Sequence, residues 1–377
     1  MNLGRLVEEI KKFFKVPKNL IFMIGGPLFF TIFFGMVYSN DYLNDVPMAI
    51  LDMDKSPTSR MIVKAFDDNQ RYIVDYYPSN TEELKDIIRE KKAFVGVMVP
   101  PNFEKDIKAG KGTKAVMLVD GSDIAVGNNA LATGLEILNT VNGGINMKVL
   151  KGKNVPPKLS ENYAKLFNFN SRVLYDPKLS YKYYVMPGMV IVLVQQLFLS
   201  VFVPNFVEDR RNIVFKSMIH IAVGIIAYGV CLIALDKIVG VKLMGNISTA
   251  MGFMGVYLTC LLGVALTIGS LFRDRLKVTQ FCMMMSLPTF LTAGYMWPMF
   301  MMPNSIKLIV KSIWPLIYIV TPLRDYLIKG QFPNGFASNM VQLVIFGAVW
   351  FVLGYMCMKL MFKKEYEGEE EVEKAKA

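Results

Sequence analysis

Residues 20–38, LIFMIGGPLFFTIFFGMVY, carry no charge, and as a helix they are long enough for one bilayer crossing. The next comparable run, 185–207, follows only after a long, mostly polar stretch. Further apolar runs at 215–235, 247–271, 278–299 and 338–361 crowd the C-terminal half. This layout predicts one anchor, a large domain outside the bilayer and then a membrane bundle. Run 20–38 is too long for the apolar part of a signal peptide, and no small-x-small cleavage site follows it, so an uncleaved anchor is expected.

Composition agrees with that layout. A hydrophobic content of 53% and a mean hydropathy of +0.36 exceed what an ordinary soluble two-domain chain carries. The net charge of +11 is explained by flanking clusters: Arg5, Lys11, Lys12, Lys15 and Lys18; Arg210, Arg211 and Lys216; Arg273, Arg275 and Lys277; Lys359, Lys363 and Lys364. Alternating the sides of the membrane puts every cluster in the cytoplasm, as the positive-inside rule requires, and leaves no reason to invoke nucleic acid. Cys231, Cys260, Cys282 and Cys357 fall inside apolar runs, with no disulfide framework or metal spacing. His220, the sole histidine, sits near the start of a span and is expected at headgroup level.

Residues 1–19 read as a basic amphipathic helix on the cytoplasmic surface, with Leu3, Leu6, Val7, Ile10, Phe13 and Phe14 on one face. The first membrane helix takes 20–39. Between 40 and 184, apolar strands at 46–51, 71–77, 93–99 and 114–119 alternate with helical stretches, which predicts an extracytoplasmic α/β or α+β domain. Residues 185–362 hold five more membrane helices. Within them 299–329, broken by Pro303, Pro315 and Pro322, is expected to enter and return as two half-helices. Residues 363–377 form an acidic cytoplasmic tail, expected to be disordered.

Few motifs carry chemistry. Ala109-Gly-Lys-Gly-Thr113 fails the phosphate-loop pattern because Gly112 separates Lys111 from Thr113 and Lys105 stands where the upstream glycine is needed. It is read as a turn. The methionines at 283–285, 296, 299, 301 and 302 have no nearby histidine and are read as adaptable packing. No nucleophile-base-acid set or paired carboxylate appears in the spans, so the chain is not expected to be an enzyme, and no catalytic, cofactor or metal residue is assigned. Gln195 and Gln196, the notable polar pair inside a span, either bond helix to helix or line a path.

Several segments carry a specific resemblance. Residues 93–110, AFVGVMVPPNFEKDIKAG, followed by Val119-Asp-Gly-Ser-Asp123, resemble the signature of ABC-type-2 exporter permeases with a large external domain. Leu51-Asp-Met-Asp-Lys-Ser-Pro-Thr-Ser-Arg60 is similar to that family's first strand and turn. In the membrane half, 287–298 (LPTFLTAGYMWP), then Met302-Pro303, Trp314-Pro-Leu316 and Thr321-Pro-Leu-Arg324, resemble its "SGF-x-x-P…MP" stretch, ending at Gly330.

The resemblance implies six spans, the external domain between the first two, a second permease copy or sister permease, and a cytoplasmic ATPase dimer that holds the ATP and Mg. It also implies that the link between spans two and three docks on the ATPase, here Glu208-Asp-Arg-Arg-Asn212, with Glu208, Asp209, Arg210 and Arg211 as the coupling residues. The family often shows Glu-Arg-Glu-x-Gly-Thr there, whereas this chain keeps the first acid and lacks Gly-Thr. Gly294, Pro298, Pro303, Pro315, Pro322 and Arg324 are assigned to an outer gate. The expected function is export of a hydrophobic or amphiphilic substrate across the plasma (inner) membrane, with both termini cytoplasmic. An envelope adaptor and an outer-membrane channel are further partners. The same layout also fits a surface receptor working through its external domain.

Overall fold

The computed structural model describes residues 3–39, 44–122, 124–152, 175 and 180–376, of which 3, 5, 124–125 and 362–376 by backbone alone. The chain divides into two compact units: 1–39 with 174–377, and 40–173.

The first unit begins with α1 (Leu3–Lys15), on which Phe13 and Glu9 are buried while Val7, Ile10 and Phe14 stay exposed. The apolar stripe predicted for this helix is therefore split. Leu6, Glu9 and Phe13 lie toward the unit's interior, and an apolar seam one residue further on faces outward. Helix α2 (Pro17–Val37) follows. It is helical throughout, with a π-helical turn over Ile21–Gly25.

The second unit is built on a four-stranded sheet in the order β2-β1-β3-β4. Its elements in chain order are β1 (Val46–Asp52), α3 (Pro57–Asp67), β2 (Tyr72–Tyr76), α4 (Thr81–Arg89), β3 (Val95–Val99), α5 (Phe103–Lys108), β4 (Val116–Val119) and α6 (Ile124–Gly152). β1 pairs in parallel with β2 and with β3, while β4 runs antiparallel to β3. Strand β1 is apolar on both faces, which suits a strand covered on both sides. Met48 and Ile50 join Ile62, Phe66, Val97 and Ile137 in one core, and Ala49 and Leu51 join Leu84 and Ala93 in another. The strands fall within two residues of the apolar runs in the sequence.

The segment that resembles a family signature at 51–60 has a structural task. Asp52 accepts from the Asp54 and Lys55 N–H groups at 3.0 and 2.9 Å and from Ser59 Oγ at 2.7 Å. Ser56 caps α3 by accepting from Ser59 N–H. Asp54 accepts from Glu104 N–H at 3.0 Å, tying the end of β1 to the start of α5. The Gly-Lys-Gly segment ends α5: Gly110 has φ +71° and Lys111 N–H donates to Asp106 O, so it is a helix terminus and not a phosphate cradle.

The first unit resumes with α7 (Tyr181–Glu208), α8 (Ile213–Val239), α9 (Ile247–Leu271), α10 (Arg275–Met284), α11 (Ser286–Thr292), α12 (Asn304–Ile313), α13 (Leu316–Lys329) and α14 (Phe336–Lys376). Among the described residues five helices are long and apolar enough to cross a membrane: α2, α7, α8, α9 and Phe336–Met361 of α14. The pair α12 and α13, bent by 91°, brings the number to six if it counts as one broken span. The expected span 278–299 is not one helix. It splits into α10 and α11 at Met285. Pro288 explains the break: deep inside a helix it would forfeit a hydrogen bond and clash with the carbonyl of residue 284, whereas in the first turn of α11 it is tolerated.

The acidic tail also differs from expectation, because the backbone of α14 continues as helix to Lys376. Its glutamates, lysines and alanines are good helix formers, and they extend a helix already nucleated by the apolar turns before them. Helices α9 and α14 cross at glycines. A Cβ on Gly347 would lie 2.7 Å from Cys260 Sγ, and one on Gly263 would lie 2.7 Å from the backbone N of Phe351. Small residues at such crossings let two backbones approach where no water drives association.

Candidate functional site

The link 208–212 is short because α7 runs to Glu208 and α8 starts at Ile213. Asn212 adopts φ +54°, a left-handed turn that asparagine tolerates better than most residues. The side chains of Glu208, Asp209, Arg210 and Asn212 then find distinct partners. Glu208 pairs with Arg275 at the start of α10, with both side chains more than half exposed. Asp209 is 2.7 Å from Lys216, whose ammonium also donates to Asp209 O. Burial pulls the Asp209 carboxyl upward, but Lys216 and the Arg211 N–H outweigh it and hold it below the ordinary carboxylate range. Arg210 reaches the Phe272 carbonyl at 3.5 Å, so the 208–212 and 272–275 turns lie side by side. Arg211 donates its backbone N–H to Asp209 Oδ1 at 3.0 Å.

Asn212 donates to Glu9 at 3.0 Å. Glu9 is only 3% exposed and its other partner is Lys12 at 3.5 Å. Beside it, Phe13 packs edge-on to His220 with centroids 4.9 Å apart, and Phe202 does the same at 5.3 Å. His220 Nδ1 lies 2.7 Å from Lys216 O and Nε2 lies 3.4 Å from Asn205, which also contacts Asn19. His220 is thus enclosed by protein. Its neighbours come from α1, α7 and α8, far apart in sequence.

The far end of the same unit is held differently. Gly294 has φ +78°, turning the chain out of α11. Tyr295 then enters the bundle: its hydroxyl donates to the Val185 carbonyl, and Tyr184 OH donates to Tyr295 O at 2.7 Å. The two rings stack at 5.9 Å, and the Arg324 guanidinium sits 5.0 Å and 5.7 Å from their centroids. Arg324 also donates through Nε and Nη2 to Asp325, which takes Lys329 on its other oxygen. Thr321 Oγ1 donates to Gly294 O at 3.3 Å, connecting α13 to the turn.

Of the residues assigned to a gate, Gly294 and Arg324 are therefore in one cluster, with Pro322 inside α13. Pro298 and Pro303 flank the short 3₁₀ turn Met299–Met301, and Pro315 sits at the bend between α12 and α13. Gln195 is buried and accepts from Tyr257 OH, while Gln196 donates to Cys282 O at 2.8 Å. Both bond helix to helix.

Glu9 and Asn205 at one end, and Tyr184, Tyr295 and Asp325 at the other, were not singled out from sequence, and Asn212 was placed in the link without its partner. Glu9 carried a signal. It lies with Leu6 and Phe13 on one helical face, where a carboxylate needs a partner. The tyrosines carried none, since interfacial aromatics look alike in sequence.

The profile of the "ABC-2 family transporter protein" matches residues 18–356. The chain is 19% identical over 375 residues to the Escherichia coli inner membrane transport permease YhhJ, covering 94% of this chain and 95% of that one. It is 20% identical to the probable multidrug ABC transporter permease YbhR of E. coli, covering 83% and 93%, and 19% identical to YbhS, covering 92% and 93%. No solved structure matches. With the family profile spanning both the sheet unit and the membrane unit, the chain belongs to the ABC-2 transporter family and is a multi-pass membrane permease of that family.

Proposed function

We propose that this chain is the membrane subunit of an ATP-driven exporter that moves a hydrophobic or amphiphilic substrate outward, powered by a separate cytoplasmic ATPase dimer. The observation that carries the reading is the link at 208–212. Its side chains bond to α1, α8 and the start of α10, so a push on the link reaches several helices at once. Packed elements of this kind shift between discrete arrangements rather than deform smoothly.

In this reading both termini and the link face the cytoplasm, the sheet unit lies on the opposite side of the inner membrane, and a second permease copy or sister permease completes the path. The 294–324 cluster serves as the outer gate. Two relatives carry the words "multidrug ABC transporter permease" in their names, which favours drugs or lipid-like amphiphiles over ions. An adaptor or outer-membrane channel would meet the external unit. ATP and Mg stay on the partner.

The test compares Glu208→Gln/Arg210→Gln/Arg211→Gln with Lys363→Ala/Lys364→Ala, at matched membrane levels. The link variant should lose ATPase co-purification and substrate efflux while still inserting, and the tail variant should keep both. Cysteine reporters at Asp75 and Lys108 should label from outside, and those at Arg275 only after permeabilisation. Normal efflux in the link variant would defeat the coupling role, and external labelling at Arg275 would defeat the orientation.

A further inference from the structure

The sheet unit contains a cavity of about 420 Å³ between the start of α3, α5 and the end of α6. That volume falls in the range of small-molecule sites, roughly 300–1,000 Å³. Its walls are apolar where Met61, Ile107, Ile145 and Val149 meet, and Ile145 belongs to the buried core of the unit. Its charged groups are Glu104, Lys108 and Lys148.

These three charges are not equivalent. Glu104 is mostly covered and pairs with Lys108 at 2.8 Å. The Lys108 ammonium beside it, followed by burial pulling the other way and then bonds from Thr58 and Ser56, leaves the Glu104 carboxyl below its ordinary range. Glu104 is thus spoken for. Lys148, by contrast, is exposed, with its ammonium 3.3 Å from Met61 Sδ, a weak acceptor, and among the described residues no carboxylate pairs with it. An ammonium without an anionic partner, at the edge of an apolar cavity, is the arrangement that takes an anionic head with an apolar tail behind it.

We propose that this cavity binds a single-chain anionic amphiphile, its head on Lys148 and its chain against Met61, Ile107, Ile145 and Val149. The site lies wholly within the sheet unit and stands apart from the export reading, so it holds or fails independently of transport direction.

The experiment uses the full-length chain in lipid nanodiscs, carrying Lys64→Cys labelled with a charged, water-soluble fluorophore one helical turn beyond Met61. Unlabelled-site background comes from the native-cysteine protein, whose Cys231, Cys260 and Cys282 are buried. Dodecanoate is titrated against dodecyltrimethylammonium, which has the same chain and the opposite charge. Dodecanoate should give a saturable signal, and dodecyltrimethylammonium should give none at the same concentration.

Lys148→Glu should weaken dodecanoate at least tenfold, whereas Lys114→Glu, which reverses an exposed charge outside the cavity, should leave it within twofold. Ile145→Val, a mild change in the wall, should weaken it by a smaller factor. A signal that rises without saturating, equal responses to the two amphiphiles, or equal loss in the Lys148 and Lys114 variants would each overturn the proposal.

Discussion

The two ends of the membrane unit solve the same problem with different chemistry. At the 208–213 end, the turns are joined by charged and amide side chains, several of them half exposed, with one buried carboxylate at the centre. At the 294–324 end, stacked tyrosines and a largely buried guanidinium hold the turn, and the carboxylate beside it is shared with Lys329. Exposed ion pairs are individually weak, about 0–1 kcal/mol, and are easily exchanged for a partner's groups. Aromatic packing against a glycine is dense and gives way only by moving whole side chains. On the proposed reading, the first end is the one to make and break contacts with a partner, and the second the one to hold its packing until it switches as a whole.

The largest effect is expected at the aromatic end. A Cβ on Gly188 would lie 2.3 Å from the Tyr295 ring, well inside any tolerable contact. Gly188→Ala should therefore expel Tyr295 and cost toward the upper end of about 1–3 kcal/mol, the range for overpacked cores. Thermal unfolding of the purified protein should show a clear fall, partly restored by adding Tyr295→Leu. If Gly188→Ala melts like wild type, the ring is not clamped and the contrast between the ends collapses.

Next comes the one buried bond at the polar end. Removing the amide from Asn212 leaves the Glu9 carboxylate without its main donor, a loss of about 1.5–3 kcal/mol for a hydrogen bond to a charged group. Asn212→Gly is the informative variant, because glycine keeps the φ +54° turn while losing the side chain. A double-mutant cycle with Glu9→Gln should return a coupling energy of at least about 0.5 kcal/mol. Additivity would mean that α1 is not held through this bond. Arg324→Lys is expected to cost somewhat less, about 0.5–2 kcal/mol, since lysine keeps the charge but not the planar stack on Tyr184 and Tyr295. Loss of stability comparable to Arg324→Ala would support stacking, whereas full retention would leave only the charge.

How far these ends were legible follows from the range of the interactions. The long apolar helices and the alternation of strands and helices in the sheet unit depend on local pattern, and they stand out in the sequence: 46–51 is an unbroken apolar run, as suits a strand covered on both faces, and only the structure assigns Met48 and Ile50 to one core and Ala49 and Leu51 to the other. The break at Met285 was legible in Pro288, but a long apolar run masked it. The link was locatable from its charges between two spans. Its partners were not, because Glu9 and Asn212 are separated by 203 residues and Glu208 and Arg275 by 67. Arg210 and Arg211 differ in a way that charge alone does not show: Arg210 reaches the Phe272 carbonyl, and Arg211 donates its backbone N–H to the Asp209 carboxylate. Tyr295 was invisible as an anchor until its ring met Gly188.

The smallest effects concern the exposed pairs at the polar end, and they set a limit on how that end responds to pH. Glu208→Gln should change stability by no more than about 1 kcal/mol, since both partners are more than half exposed. Asp209 offers a sharper test. Its carboxyl is held below the unfolded value of about 3.9, so its contribution is fully present above that value and is lost only as pH falls through the folded value. Between about pH 5.5 and 8 the carboxylate stays ionised on this account, and ATPase association should not vary through Asp209. Asp209→Asn should lower association modestly and by the same factor at every pH in that window. Measured at fixed ionic strength, an association that falls between pH 8 and 5.5 in the wild type, and becomes flat in Asp209→Asn, would show that Lys216 does not hold the carboxylate.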